Sequence, residues 1–195
     1  MPEKNSHPCG WSGSIHDFLS LAKADWLAAL QVHHQRCVNC PADQSQLPEW
    51  DHEFDLLAKQ LKQLLQVKPA LGSCTIIFEY ELPDGRGGRP DVIILGACVF
   101  VLEFRDLAEI LQTHVDQLEA CARDLERYPT GSHQYTVVPI LILTRAKELI
   151  RRDGDIIILS PDRIADVLTV QSELETGPLI DPVTWITAGY SPRAP

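Results

Sequence analysis

Arg89-Pro-Asp91-Val-Ile-Ile-Leu-Gly-Ala-Cys-Val-Phe-Val-Leu-Glu103-Phe-Arg105 carries more fold information than any other segment of the chain. It divides into two apolar, strand-like runs, about 91–97 and 98–105, with Gly96-Ala97 as the turn between them. Side chains alternate along a strand, so Val99, Val101, Glu103 and Arg105 share one face while Phe100, Leu102 and Phe104 take the other. Asp91 reaches the same end of the hairpin from the neighbouring run. Apolar runs of this kind rarely carry three charges without a use for them. Two carboxylates beside a cation are a ligand set for a hard divalent metal held against a phosphodiester.

On the N-terminal side of this hairpin, a further strand is expected at about 74–82, joined to it by the turn Asp84-Gly-Arg-Gly-Gly-Arg-Pro90. Ser12 or Ser14 can cap a first helix over 14–34, with Ile15, Phe18, Leu19, Ala22, Trp26 and Leu30 at helical spacing. His33–Pro48 reads as a loop, and a second helix spans about 48–66. A third helix over 107–127 has Leu111, His114, Leu118, Ala122 and Leu125 as its apolar seam, which makes His114 a core histidine. Strands follow at 135–144 and 155–159, and Pro139 implies an edge or a bulge in the first of them. Ser160-Pro161-Asp162 has the form of a capped helix start. The expected class is α/β, a mixed β-sheet core flanked by helices. Residues 1–47 are expected to pack a helix and loop on a core over 48–172, with 173–195 as a linker stub.

The bulk numbers set limits. A chain of 195 residues makes one domain with a substantial core, and its 45% apolar and 23% charged residues are ordinary globular composition. The longest apolar run, Val92–Leu102, is too short to span a bilayer, and the N-terminus carries no hydrophobic signal segment, so a cytoplasmic location is expected. Of six cysteines, Cys74, Cys98 and Cys121 fall inside apolar elements and read as reduced core residues. A net charge of −10 opposes unaided nucleic-acid binding, which a bound metal or a basic partner domain would offset.

Pro90-Asp91, eleven intervening residues and Glu103-x-Arg105 resemble the PD-(D/E)xK nuclease superfamily. Ile77-Phe-Glu79-Tyr-Glu81-Leu-Pro83, Val101-Leu-Glu-Phe-Arg105 and the tail pattern Asp181-Pro-x-x-Trp185 with Tyr190-x-Pro extend the likeness to the N-terminal nuclease-like region of DUF2075-type nuclease–helicase proteins. The resemblance covers roughly residues 10–195. It implies a restriction-endonuclease-like core, metal-dependent hydrolysis of nucleic acid (DNA before RNA), and a helicase/ATPase domain on the same full-length chain. Two positions depart from the pattern. Arg105 stands where the motif has lysine, and Cys121 stands where some relatives place a tyrosine four residues after Gln117.

On this reading Asp91, Glu103 and the backbone carbonyl of Phe104 hold Mg²⁺ or Mn²⁺. Arginine side chains do not act as general bases, so water activation falls to the metal while Arg105 orients the scissile phosphate. Glu53, Glu81 and Gln117 are supporting candidates: a holder of metal-bound water, an outer carboxylate and a contact to Arg105 or phosphate. The bland alternatives are an ion pair at a sheet edge, Glu79 and Glu81 as the solvated face of their strand, and Glu53 as a surface helix residue. A further alternative is a nuclease fold whose chemistry has decayed, leaving a nucleic-acid or protein interaction module.

His33-His34-x-x-Cys37-x-x-Cys40 carries a second constellation. One Cys-x-x-Cys pair, a nearby His33 and the distant Cys9 could complete a structural zinc site, although two incidental thiols at a solvated helix end are the simpler reading.

Overall fold

The computed structural model describes residues 8–38, 46–82, 89–126 and 135–187. Seven strands form one mixed sheet, in the order β1-β2-β3-β4-β5-β7-β6. β1 (Trp11–Ser14), β2 (Thr75–Phe78), β3 (Val92–Leu95) and β4 (Val99–Arg105) run antiparallel in succession. β5 (Val137–Leu143) lies parallel to β4 and to β7 (Ile156–Leu159), and β6 (Ile150–Asp153) closes the far edge antiparallel to β7. The chain is thus mixed α/β, a seven-stranded sheet flanked by helices.

The central strands are apolar on both faces because both faces are covered. On one face Ile76, Phe78, Val92, Ile94, Phe100, Leu102 and Phe104 meet Phe18, Trp26, Leu57 and Leu61. These come from α1 (Ile15–Ser20), α2 (Lys23–Val38) and α3 (Gln46–Val67), with α5 (Ile164–Leu174) beside them. On the other face Ile77, Ile93, Leu95, Val99 and Val101 meet Val115, Leu118, Ala122 and Leu125 of α4 (Gln112–Glu126). The alternation expected for 98–105 is therefore the alternation observed. Cys74, Cys98 and Cys121 are buried free thiols, as their apolar setting implied.

Local departures have local causes. The expected first helix is two: Ser14 and Asp17 form a capping box that starts α1, and the chain extends at Leu21 before α2 begins. α2 then continues through Val38, into the stretch read as a loop, whose residues 39–45 lie outside the described residues. Pro139 sits in an internal strand with unbroken register. It is accommodated because pairing to β7 begins only at Ile140. The Ser160 hydroxyl does not cap the helix after it; it accepts from the Leu149 N–H at 2.9 Å and so secures the β6–β7 hairpin. β6 itself escaped the sequence reading, because its Ile150, Arg151 and Arg152 are exposed and show no apolar period.

Within the stretch read as a linker stub, residues 180–187 lie against the sheet. Ile180 and Trp185 are buried, the Ile180 N–H donates to the Gly96 carbonyl at 2.9 Å, and Trp185 lies on Tyr80 with ring centroids 5.2 Å apart. Asp181 caps the short α6 (Pro182–Thr187) by accepting from the Thr184 N–H. The Tyr190 part of the tail pattern lies outside the described residues. Among the described residues no helix is long and apolar enough to cross a membrane.

Candidate active site

The β3–β4 register builds the site. Val92 pairs with Leu102, so Asp91 stands one step further along, across from Glu103. The Phe104 N–H donates to Asp91 Oδ2 at 2.8 Å and fixes that carboxylate at the end of the hairpin. Arg105 folds back over both acids. Its Nη2 bonds Glu103 Oε1, its Nη1 lies 3.8 Å from Asp91 Oδ2, and Nη1 also donates to the Phe104 carbonyl at 2.6 Å. Nε of the same guanidinium donates to His114 Nδ1 at 3.1 Å. The two acids and the base expected to cooperate therefore do meet.

A third carboxylate arrives from β2. Glu79 has a left-handed backbone (φ 54°), which breaks the strand's alternation just after Phe78. Its side chain is buried, accepting from Trp50 Nε1 at 3.1 Å and pairing with Arg89 Nε at 2.6 Å. The solvated-face reading of Glu79 is thus overturned. The same break carries Glu81 elsewhere, its N–H donating to the Pro8 carbonyl at 2.7 Å and its carboxylate lying 3.9 Å from His33. The carboxylate that this segment brings into the cleft with Asp91 and Glu103 is Glu79, not Glu81.

Glu53, half-buried on α3, is the fourth acid. A polar cleft of about 250 Å³ collects Glu53, Glu79, Arg89, Asp91, Glu103 and Arg105. It shares Glu49, Glu53, Phe104 and Arg105 with a wider cleft of about 530 Å³ that continues past His52 and His114 to Asp106 and Thr144. Gln117 is exposed on α4 and lines neither cleft; His114, one turn earlier, is the residue that α4 contributes. His114 is half-buried and hydrogen-bonded to Arg105 rather than sealed in the core. The seam of α4 runs through Val115, Leu118, Cys121, Ala122 and Leu125: Leu118, Ala122 and Leu125 are as expected, while Leu111 is exposed and Val115 takes the place expected of His114.

Crowding these acids has an electrostatic consequence. Burial, reinforced by the charges of Asp91, Glu79, Glu49 and Glu103, pushes the Glu53 carboxyl well up. Asp91 is pushed well up by burial and by Glu103, against the opposing pull of the Phe104 N–H and the two arginines. Glu103 is raised by burial despite Arg105, and Glu79 is pushed up to about 7 by burial and Asp91. A cation bound among these four acids would offset the repulsion among their charged forms.

The donor atoms are carboxylate oxygens, which suits Mg²⁺ or Mn²⁺. The Phe104 carbonyl, expected as a ligand, here faces the Arg105 guanidinium, so arginine and cation would share that oxygen.

The second constellation assembles differently from expectation. His33, Cys37 and Glu81 bring ligand atoms within 4.8 Å of one another. Cys9 is not part of that group: it is buried in the apolar layer with Tyr80 and Leu82, its thiol bonded to Ser12. Cys40 lies outside the described residues. The spacing of His33 and Cys37, four residues apart on α2, was the readable signal; the participation of Glu81 was not, since it depends on the bend at Glu79. No family model, curated protein or solved structure matches this chain.

Proposed function

We propose that this chain is a Mg²⁺- or Mn²⁺-dependent nuclease module with a restriction-endonuclease-like core, hydrolysing phosphodiesters of nucleic acid, DNA before RNA. The observation that carries the reading is the convergence of Asp91, Glu103, Glu79 and Glu53 in one open polar cleft beside Arg105. The order α3, antiparallel β2-β3-β4, α4 and parallel β5 supports the fold assignment. In this mechanism Asp91 and Glu103 would hold the ion, Glu53 and Glu79 would orient water beside it, and the bound ion would supply Lewis acidity to the attacking water. Arg105 offsets charge developing on the phosphate, and His114 keeps the guanidinium aimed. The wider cleft offers the path for the polynucleotide strand. A helicase/ATPase domain on a longer chain would supply the basic surface that a net charge of −10 lacks.

A second reading, an interaction module descended from a nuclease, is favoured by one observation: the guanidinium of Arg105 already spans Glu103 and the Phe104 carbonyl, where a metal would bind.

Cleavage of plasmid, single-stranded DNA and RNA with Mn²⁺ or EDTA, by wild type and Asp91→Ala, separates the two. The nuclease reading expects EDTA-sensitive cleavage that falls on the order of 10²-fold or more in the variant. Equal cleavage by both proteins overturns it. Metal binding without cleavage supports the second reading.

A further inference from the structure

We propose that His33, Cys37 and Glu81 form a second metal site, binding one zinc-class divalent ion that clamps α2 to the segment leaving β2. His33 and Cys37 project from one face of α2, four residues apart, and Glu81 approaches from the chain beyond the bend at Glu79. Cys37 Sγ lies 3.5 Å from His33 Nε2, and Glu81 Oε1 lies 3.9 Å from the same nitrogen. Zinc bonds of about 2.3 Å to sulfur and about 2.0–2.1 Å to nitrogen, at the tetrahedral angle, place those two ligands about 3.5 Å apart. The His33–Cys37 edge already has that length. The Glu81 edge, at 3.9 Å, needs to shorten by about half an ångström.

The surroundings are consistent with coordination. His33 is buried and its ring also bonds the Glu79 backbone, the kind of outer contact that fixes the orientation of a ligating imidazole. Cys37 is exposed, so an ion can enter and a fourth position remains open to water. A thiolate and a carboxylate supply two negative charges to offset a divalent ion near Arg36 and Arg89. The nitrogen, sulfur and oxygen donor set selects a borderline metal, whereas the all-carboxylate cleft selects a hard one. The two sites would therefore take different ions. They are linked by chain: Glu79, in the acid cleft, lies two residues before Glu81. An ion at the second site would fix the segment that presents Glu79 to the first.

The test is titration of the EDTA-stripped full chain with Zn²⁺, followed by metal analysis, and with Co²⁺, followed by absorption. One ion per chain and a thiolate-to-cobalt charge-transfer band are expected. Cys37→Ser, a change at an exposed position that leaves the fold intact, removes the band, and Glu81→Gln weakens binding at least about tenfold. Asp91→Ala leaves both readouts unchanged, which separates this site from the acid cleft. Absence of stoichiometric binding overturns the proposal, as does a thiolate-to-cobalt band that survives Cys37→Ser. Binding lost in Cys40→Ser but kept in Glu81→Gln overturns the ligand assignment.

Discussion

The indole Nε1 of Trp50 donates to Glu79 Oε1 at 3.1 Å, joining α3 to the end of β2 along the wall of the acid cleft. Both residues are buried, and the bond favours the charged carboxylate against the burial that opposes it. Trp50→Phe keeps an aromatic ring there but removes the donor. Stability in urea should fall by about 1.5–3 kcal/mol, the range for hydrogen bonds to charged groups, and Glu79 should titrate higher. An unchanged urea midpoint would show that the bond contributes nothing.

The pH dependence has a definite sign. Glu79 has a folded pKa of about 7 against a reference value of 4.5. Between those values the folded state binds the extra proton, so this contribution is complete below the reference value and is lost as pH rises through about 7. The raised Asp91, Glu103 and Glu53 act in the same direction. His33 and His34, lowered by burial, act oppositely, so the informative quantity is the difference between wild type and Glu79→Gln. The variant should gain Tm over wild type as pH rises from about 5 to about 8. A difference independent of pH would contradict the raised carboxyl.

Mg²⁺ favours the ionised acids that proton binding opposes. The Tm increment it gives the wild type should therefore grow over the same pH range, by linkage between ion and proton. An increment that is constant or shrinks with pH would place the ion outside the acid cluster.

Arg105 holds Glu103, the Phe104 carbonyl and His114 with one planar fork. A lysine ammonium is a point charge on a flexible stem and does not span all three partners. Arg105→Lys should therefore release the carbonyl and tighten Mg²⁺ binding in calorimetry. Weaker binding in the variant would mean that the guanidinium supports the ion site rather than competing for its oxygen.

Trp185, buried against Tyr80, tests whether the tail belongs to the folded unit. Trp185→Ala should cost about 3–5 kcal/mol in denaturant unfolding, the range for a large aromatic removed from a core. Loss of less than about 0.5 kcal/mol, as for a surface change, would return residues 180–187 to the status of a linker.

The central hairpin was legible because its information is local. Strand alternation over 99–105 assigns faces, and the offset between Asp91 and Glu103 lets a tight turn bring them opposite each other. That pair and Arg105 could be named from the sequence for this reason. Glu53 could be named as a supporting candidate on the helix before the sheet, but its distance from the acids is set by how α3 packs on the sheet.

The α/β class, the strands carrying the site and the three charges at its centre were already written in the order of residues, since hydrophobic period and strand register are properties of near neighbours along the chain. Two features exist only in the folded molecule: Glu79 rather than Glu81 enters the cleft, and His114 rather than Gln117 reaches Arg105. The reason is geometric. A single left-handed residue at Glu79 redirects the side chains beyond it, and His114 lies nearly one turn, about 4.5 Å along the α4 axis, from Gln117.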